Sequence, residues 1–280
     1  MTTDSRCRFC HSILRETFAD LGMSPLANSY IPLDRTREME AFYPLHAFVC
    51  SECRLVQLEE FATPDSIFSD YLYFSSFSDA WLKHAEAYVG AVTERFGLNQ
   101  SSRVVEIASN DGYLLQYFQK RGVPVLGIEP AQNIAEVAVK KGIPTEVAFF
   151  GKQTATRLRD SGITADQMVA NNVLAHVPDI NDFVSGFAVL LKPDGVVTFE
   201  FPHLLRLIEH NEFDTIYHEH FSYLSLHVVQ RVLKKHGLRV FDVDEVPTHG
   251  GSLRVFGCRG ESKAHTEQPA VSRVLADEVK

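Results

Sequence analysis

The sequence predicts an α/β protein: a mostly parallel sheet with helices on both faces, preceded by a small cysteine-bound module. Three observations predict it. Short apolar runs alternate with helical stretches from about residue 99 onward. The last two apolar runs, "LRVFDVDEV" and "SLRVFGCRG", are separated only by "PTHGG". Four of the five cysteines fall into two C-x-x-C pairs, Cys7/Cys10 and Cys50/Cys53, leaving Cys258 alone.

The alternation can be followed in order. "RVVEIAS" reads as a short buried strand and "DGYLLQYFQKRG" as a helix that stops at glycine. "VPVLGIEP" is a second strand, followed by the helix "AQNIAEVAVKKG". "IPTEVAFF" contains a third strand and "DQMVANNVLAHV" a fourth. "GVVTFEFPH" is a fifth, after the helix "NDFVSGFAVLLKPDG", and the helix "SLHVVQRVLKKHG" leads to the closing pair. Strands separated by helices imply parallel pairing through right-handed crossovers. The short final connection adds a hairpin, expected as one antiparallel edge. This count and ending resemble the seven-stranded Rossmann-like sheet of class I methyltransferases.

Ahead of this core, residues 69–98 form a bridge whose second half has helical spacing: Trp81, Ala85, Tyr88, Val92 and Phe96, with a stop at Gly97. Residues 1–68 form the cysteine module, with β-like pieces "AFVC" and "LVQLEEF". Two C-x-x-C turns each direct two thiolates at one ion, the arrangement tetrahedral Zn²⁺ requires; four thiolates leave no open position, so the expected role is structural. The core is expected over 99–262, with 263–280 beyond it.

Composition excludes several classes. The formal net charge is −9 and no basic block occurs, which argues against nucleic acid and anionic membranes as partners. No run approaches a membrane span or an apolar leader, so the expected location is cytoplasmic.

The loop after the first core strand, "EIASNDGYL", lacks the G-x-G-x-x-G glycines that let a backbone approach a dinucleotide pyrophosphate. It offers Glu106, Ala108 and a tight Asn110-Asp111-Gly112 turn, while Glu129 and Pro130 end the second strand. A carboxylate can accept both hydroxyls of a ribose. These residues, with Asn171 and Asn172 closing the fourth strand, suit S-adenosylmethionine, a nucleoside without phosphate.

"DTIYHEHFSYLS" places Tyr217, His218, Glu219 and His220 side by side. Local spacing leaves open a metal site, an acid/base site or a polar turn. If extended, the stretch would send Tyr217 and Glu219 to one face and the two histidines to the other.

The two cysteine pairs, "YLYFSSFS", "VVEIASNDGYLL", "GIEP", "VLAHVPD", "FEFPH", "YHEHFSYLS" and "THGGSLRVF" together resemble the bacterial sugar C-methyltransferases. These add a branching methyl to nucleotide-diphosphate-linked deoxy-keto sugars. The resemblance runs from Cys7 to about Gly260. It implies a S-adenosylmethionine-dependent enzyme in which His220 is the base that generates an enolate. It implies Tyr217 and Glu219 as its partners in positioning the base or sugar, and His176 and Tyr71 in the active-site set. A carboxylate beside a histidine would orient it and favour the imidazolium. The "THGGSLR" hairpin would set backbone amides or Arg254 near the diphosphate, although turn geometry explains its glycines equally well. Family members continue into a further α/β domain, of which 263–280 would be the start. Two rival readings are an RNA methyltransferase, which needs a cationic groove, and a non-catalytic scaffold.

Overall fold

The computed structural model describes residues 5–61 and 74–280; the expected site residue Tyr71 lies outside them. A seven-stranded sheet forms the core. In chain order its strands are β4 (Val104–Ile107), β5 (Val125–Ile128), β6 (Thr145–Glu146), β7 (Ala165–Asn171), β8 (Leu191–Pro202), β10 (Leu238–Val246) and β11 (Ser252–Arg259), arranged β10-β11-β8-β7-β4-β5-β6. β4, β5, β6, β7 and β8 pair in parallel, and β11 is antiparallel to both its neighbours. The expected antiparallel edge is therefore corrected. β11 inserts between β8 and β10, so β10 is the edge and runs with the parallel strands.

The bridge helix α1 (Asp79–Phe96) begins at Ser78, whose hydroxyl accepts from Trp81 N, and ends at Gly97 with φ 60. Its buried face is Ala85, Tyr88, Val89 and Val92, the spacing of one helical stripe. The crossover helices are α2 (Leu115–Lys120), α3 (Gln132–Lys140), α4 (Lys152–Asp160), α5 (Ile180–Leu190) and α7 (Leu226–Lys235), with α6 (Leu204–His210) following β8. The sequence reading assigns neither α4 nor α6. α4 carries only Ala155 and Leu158 as buried residues, too thin an apolar stripe to stand out.

A second sheet joins the two ends of the molecule. β1 (Glu16–Ser24), β2 (Tyr43–Val49) and β3 (Val56–Leu58) come from the cysteine module, and β9 (Ser222–Tyr223) comes from the core. β9 pairs antiparallel with β3, Val56 opposite Tyr223 and Gln57 opposite Ser222. Its two residues directly follow the "YHEH" segment and Phe221.

The four cysteine sulfurs lie within 4.8 Å of one another. Cys7 Sγ is 3.4 Å from Cys53 Sγ, and Cys10 Sγ is 3.5 Å from Cys50 Sγ. Tetrahedral zinc with bonds near 2.3 Å sets its thiolates about 3.8 Å apart, so the four residues fit that ion. Gln57 Nε2 donates to Cys7 Sγ at 3.2 Å, an outer hydrogen bond of the kind that orients metal ligands. The cysteine turns are also fastened to the core: Asn181 Nδ2 donates to the Arg8 and Phe9 carbonyls, and Lys235 Nζ to the Phe9 carbonyl. Arg8 itself donates to the Pro178 and Leu58 carbonyls; burial lowers its pKa to about 10, so it stays charged at neutral pH.

α8 (Pro269–Asp277) lies in the stretch 263–280 and packs on the core through Val271 and Val274. Glu278, just past its end, accepts from Leu226 N and His227 N, the open amino end of α7, and from His203 Nε2 at 2.7 Å. His203 is only 2% exposed, with this carboxylate as its partner inside.

Two outcomes are expected. Chelating the metal should strip hydrogen-exchange protection from β2, β3 and β9 while β4, β7 and β8 keep theirs, because β3 alone holds β9 in its sheet. Glu278→Ala removes a helix cap worth about 1 kcal/mol and leaves His203 buried without its partner; urea unfolding should register a loss of roughly 2–3 kcal/mol.

Candidate active site

A cleft of about 1040 Å³ opens at the carboxyl ends of the parallel strands, where doubly wound sheets bind ligands. One end is built by the loop after β4. Ala108, Asn110 and Gly112 adopt φ 53, 48 and 77, so every second residue is left-handed. With Glu106 they occupy the same i, i+2, i+4, i+6 spacing that a glycine-rich loop would use. Alanine and asparagine take two of those positions, which hides the loop from a glycine-based motif search. At Gly112 the positive φ favours glycine, and a Cβ there would fall 2.3 Å from Ile143 Cδ1, forcing that side chain to shift.

Glu129 fixes this loop. Its two oxygens accept from Asn110 N and Ala131 N, each at 2.9 Å, leaving lone pairs for a diol. Burial raises its pKa, and these two amides pull it back. Glu106 is driven much further up, by burial first and then by the charges of Glu129 and Asp111. Its Oε2 is buried without a protein partner. Tyr113 hydrogen-bonds the same carboxyl, and the three acids gathered here, with Glu129 on the cleft wall, suit a ligand carrying positive charge next to a ribose, as S-adenosylmethionine does.

Ala108, Asn110, Glu129, Pro130, Asn171 and Asn172 line the cleft, whereas Glu106, Asp111 and Gly112 stand behind it. The expected cofactor contact from Asp111 is corrected. Its carboxylate is taken up by Lys141 Nζ at 2.9 Å and by the Ser76 hydroxyl, so it anchors the bridge to the loop. Asn110 Oδ1 does the same for Ser75 N.

The other end of the cleft is the "YHEH" segment. It is not extended: His220 N bonds the Tyr217 carbonyl at 2.9 Å, closing a turn. The turn places Tyr217 and His220 on one side, against the alternation expected of a strand. Thr215 O lies 2.9 Å from His220 Nδ1. A carbonyl only accepts, so Nδ1 carries the hydrogen and Nε2 holds the lone pair. The Tyr217 hydroxyl then donates to Nε2 at 2.9 Å. Burial lowers the His220 pKa to about 4, with opposition from Thr215 and help from His249. At neutral pH the ring is uncharged.

Of the two roles expected for Glu219, positioning the base or the sugar, the bond to His220 is not made. Glu219 Oε1 accepts from Asn28 Nδ2 at 2.8 Å, across the cleft in the cysteine module. His218 also lines the cleft, but its Nε2 donates to the Pro44 carbonyl at 3.1 Å and its ring meets Tyr43 edge-on. That bond ties the turn to β2 and gives His218 a structural role.

His176 sits on a single 3-10 turn (Leu174–His176) after β7. Its ring meets that of His220 edge-on at 4.6 Å between centroids. Burial and His220 push its pKa well below the usual range, against a bond to the Glu219 backbone.

Several cleft residues escape the sequence reading. Leu26 to Tyr30 line it consecutively, as do Trp81, Tyr113, Phe149 and Phe150. His249 lines it as well, at φ 51 and edge-on to Trp81 at 5.4 Å. Its neighbours Thr-His-Gly-Gly were the available signal. Arg254 takes no part. Nε and Nη2 grip the buried Glu200 at 3.1 and 2.7 Å, and the guanidinium lies over the Tyr88 ring. Burial pushes the Glu200 pKa up, but His84 and Arg254 outweigh it and hold the carboxylate ionised. The expected contact between Arg254 and a diphosphate is thereby corrected. Among the described residues no lysine or arginine lines the cleft.

Among the described residues no helix is long and apolar enough to cross a membrane. Residues 7–68 match the family Methyltransf_13, described as "Putative zinc binding domain", and residues 81–243 match Methyltransf_23, "Methyltransferase domain". The chain is 36% identical over 272 residues to the C-methyltransferase NovU of Streptomyces niveus; the match covers 97% of this chain and 64% of NovU. The fold is similar to a S-adenosylmethionine-dependent methyltransferase from Clostridium acetobutylicum, with TM-score 0.50 and 11% identity over 64% of this chain and 92% of that one. It is equally similar to magnesium protoporphyrin IX methyltransferase from Synechocystis, with TM-score 0.50 and 16% identity over 68% and 90%. With its core matched over more than half its length and its four cysteines gathered within bonding range of one ion, the chain belongs to the methyltransferase-domain family, joined here to a zinc-binding module.

Proposed function

We propose that the chain carries the catalytic core of a C-methyltransferase that acts on a nucleotide-diphosphate-linked keto-deoxysugar. The single observation that carries this reading is the neutral His220, its Nε2 hydrogen-bonded to Tyr217 and its ring against His176, at the far end of the cleft from Glu129. A carbon becomes nucleophilic when a proton beside a ketone is removed, and that step needs an uncharged base together with donors for the oxygen.

Bound S-adenosylmethionine supplies an electrophilic methyl. The protein's residues do the rest. Glu129 takes the ribose hydroxyls, while Ala108, Pro130, Asn171 and Asn172 shape the wall. In the resting arrangement Tyr217 covers Nε2. The substrate C–H proton therefore passes to the Tyr217 oxygen as the phenolic proton passes to His220, leaving an enolate and an imidazolium. His176 donates to the enolate oxygen, and Glu219 accepts from a sugar hydroxyl. Tyr71 joins this set by resemblance alone. Identity to NovU supports the C-methyl outcome. Among the described residues no lysine or arginine lines this wall, which suits contacts to the sugar ring and does not favour an RNA substrate.

His220→Asn should lower methylation of a panel of thymidine-diphosphate keto-deoxysugars by about 10²–10⁴-fold while calorimetry finds S-adenosylmethionine binding intact. Near-normal product mass in that variant would sink the assignment. The same histidine gives a stability signature. Its folded pKa, about 4, lies below the unfolded value of about 6.5, so the unfolded chain binds the extra proton between them. Stability should thus be complete above about pH 6.5 and decline as pH falls toward 4. His220→Asn should flatten that decline in urea titrations at stepped pH.

A further inference from the structure

The connection between β1 and β2 enters the active site, and nothing in the resemblance or the family matches assigns it a role. Five consecutive residues, Leu26 to Tyr30, line the cleft, although they belong to the cysteine module. One of them makes a side-chain bond to the catalytic turn: Asn28 Nδ2 donates to Glu219 Oε1 at 2.8 Å. Asn28 has φ 57, a left-handed conformation that asparagine and aspartate tolerate better than most residues. The backbone there is held by Tyr30 N, which bonds the Asn28 carbonyl at 3.1 Å.

Glu219 needs such a partner. It is 4% exposed, and among the described residues no cation compensates it. His176 reaches its backbone only, and His218 is turned to Pro44. Tyr217 and His220 are occupied with each other, and Asp179, Asp182, Tyr30 and His249 share the cleft wall without bonding it. Burial raises the Glu219 pKa, and Asn28 is the one influence that lowers it. The amide occupies Oε1, which leaves Oε2 to accept from a ligand hydroxyl.

We propose that Asn28 is a positioning residue of the active site, through which the zinc-binding module fixes the orientation and hydrogen bonding of the Glu219 carboxylate toward the sugar. The inference rests on the reading of Glu219 as a sugar contact. On this view the module completes the site. A carboxylate held by a neutral amide accepts from hydroxyls more strongly than a protonated acid would, so substrate binding depends on this bond.

The test uses the full chain with zinc bound and three variants: Asn28→Gly, Asn28→Asp and Glu219→Gln. Glycine removes the amide and is at ease at φ 57; aspartate keeps the shape and sets a second carboxylate against the first. The first readout needs no substrate. In protein labelled with carboxyl-¹³C glutamate, Glu219 is assigned by its absence in Glu219→Gln. Its titration midpoint should rise by about one pH unit in Asn28→Gly and further in Asn28→Asp. Zinc content and melting temperature serve as controls. The second readout is turnover of whichever thymidine-diphosphate keto-deoxysugar the wild type methylates. There kcat/KM should fall about tenfold in Asn28→Gly, with the acid limb of its pH profile moving up in step with the titration.

An unmoved Glu219 midpoint in both variants overturns the inference. So does a loss of turnover that tracks melting temperature without a change in pH profile, because a merely structural role predicts that pattern. Wild-type turnover in Glu219→Gln would instead remove Glu219 from the site; the titration would still report whether Asn28 controls it. The two failures are thus distinguishable.

Discussion

The pairing of β9 with β3 is the contact on which the active site depends. It is only two residues long, yet it joins segments from opposite ends of the chain. The turn that carries Tyr217 and His220 ends one residue before β9, so the register of that pair sets where the turn lies. A slip of one residue would reverse the faces of Ser222 and Tyr223 and rotate the turn with them. Other bonds brace the same junction. His218 reaches Pro44, Asn28 reaches Glu219, and Tyr223 packs with Val56, Leu58, Leu204 and Ile216 in a core of its own. The amino-terminal module is consequently a wall of the cleft as much as a metal-bound appendage.

Buried charge is handled in two contrasting ways. Around Glu200 the account closes internally: His84, Arg254 and Thr248 all reach one carboxylate that is fully out of water. That cluster locks α1 to β8 and β11 and has nothing left to offer a ligand. At the loop after β4 the balance is open. Glu106, Glu129 and Asp111 gather within one another's fields, and Lys141 meets only the last of them. A fold that neutralises one buried acid so fully and leaves Glu106 and Glu129 without a cation among the described residues marks where positive charge from outside belongs.

The cysteine cluster and the alternation of strands and helices up to the hairpin were legible in the sequence, because each rests on local pattern: C-x-x-C spacing and apolar period. The placement of β11 was not. A short link predicts that two strands are antiparallel, but which of them takes the inner position depends on β8, far away in the chain. The local shape of "YHEH" was left open for a related reason. Tyr217 and His220 share a face only because a turn bond closes between them, and nothing in the residue types distinguishes that turn from a strand. Asn28 was invisible altogether, since its partner lies 191 residues away.

The β3–β9 contact also bears on how the protein is made. Val56 leaves the ribosome long before Tyr223 exists, and at about 5–20 residues per second the delay is on the order of ten to thirty seconds. Throughout that interval the outer edge of β3 has a row of backbone donors and acceptors with no strand to meet, the situation that invites pairing with other nascent chains. Val56, Gln57 and Leu58 limit the hazard by their number alone: three residues offer too little edge to seed a stable foreign ladder. Contacts of such long range also slow folding. The price of building a site from both ends of a chain is therefore paid in time, during synthesis, and brevity of the strand keeps it small.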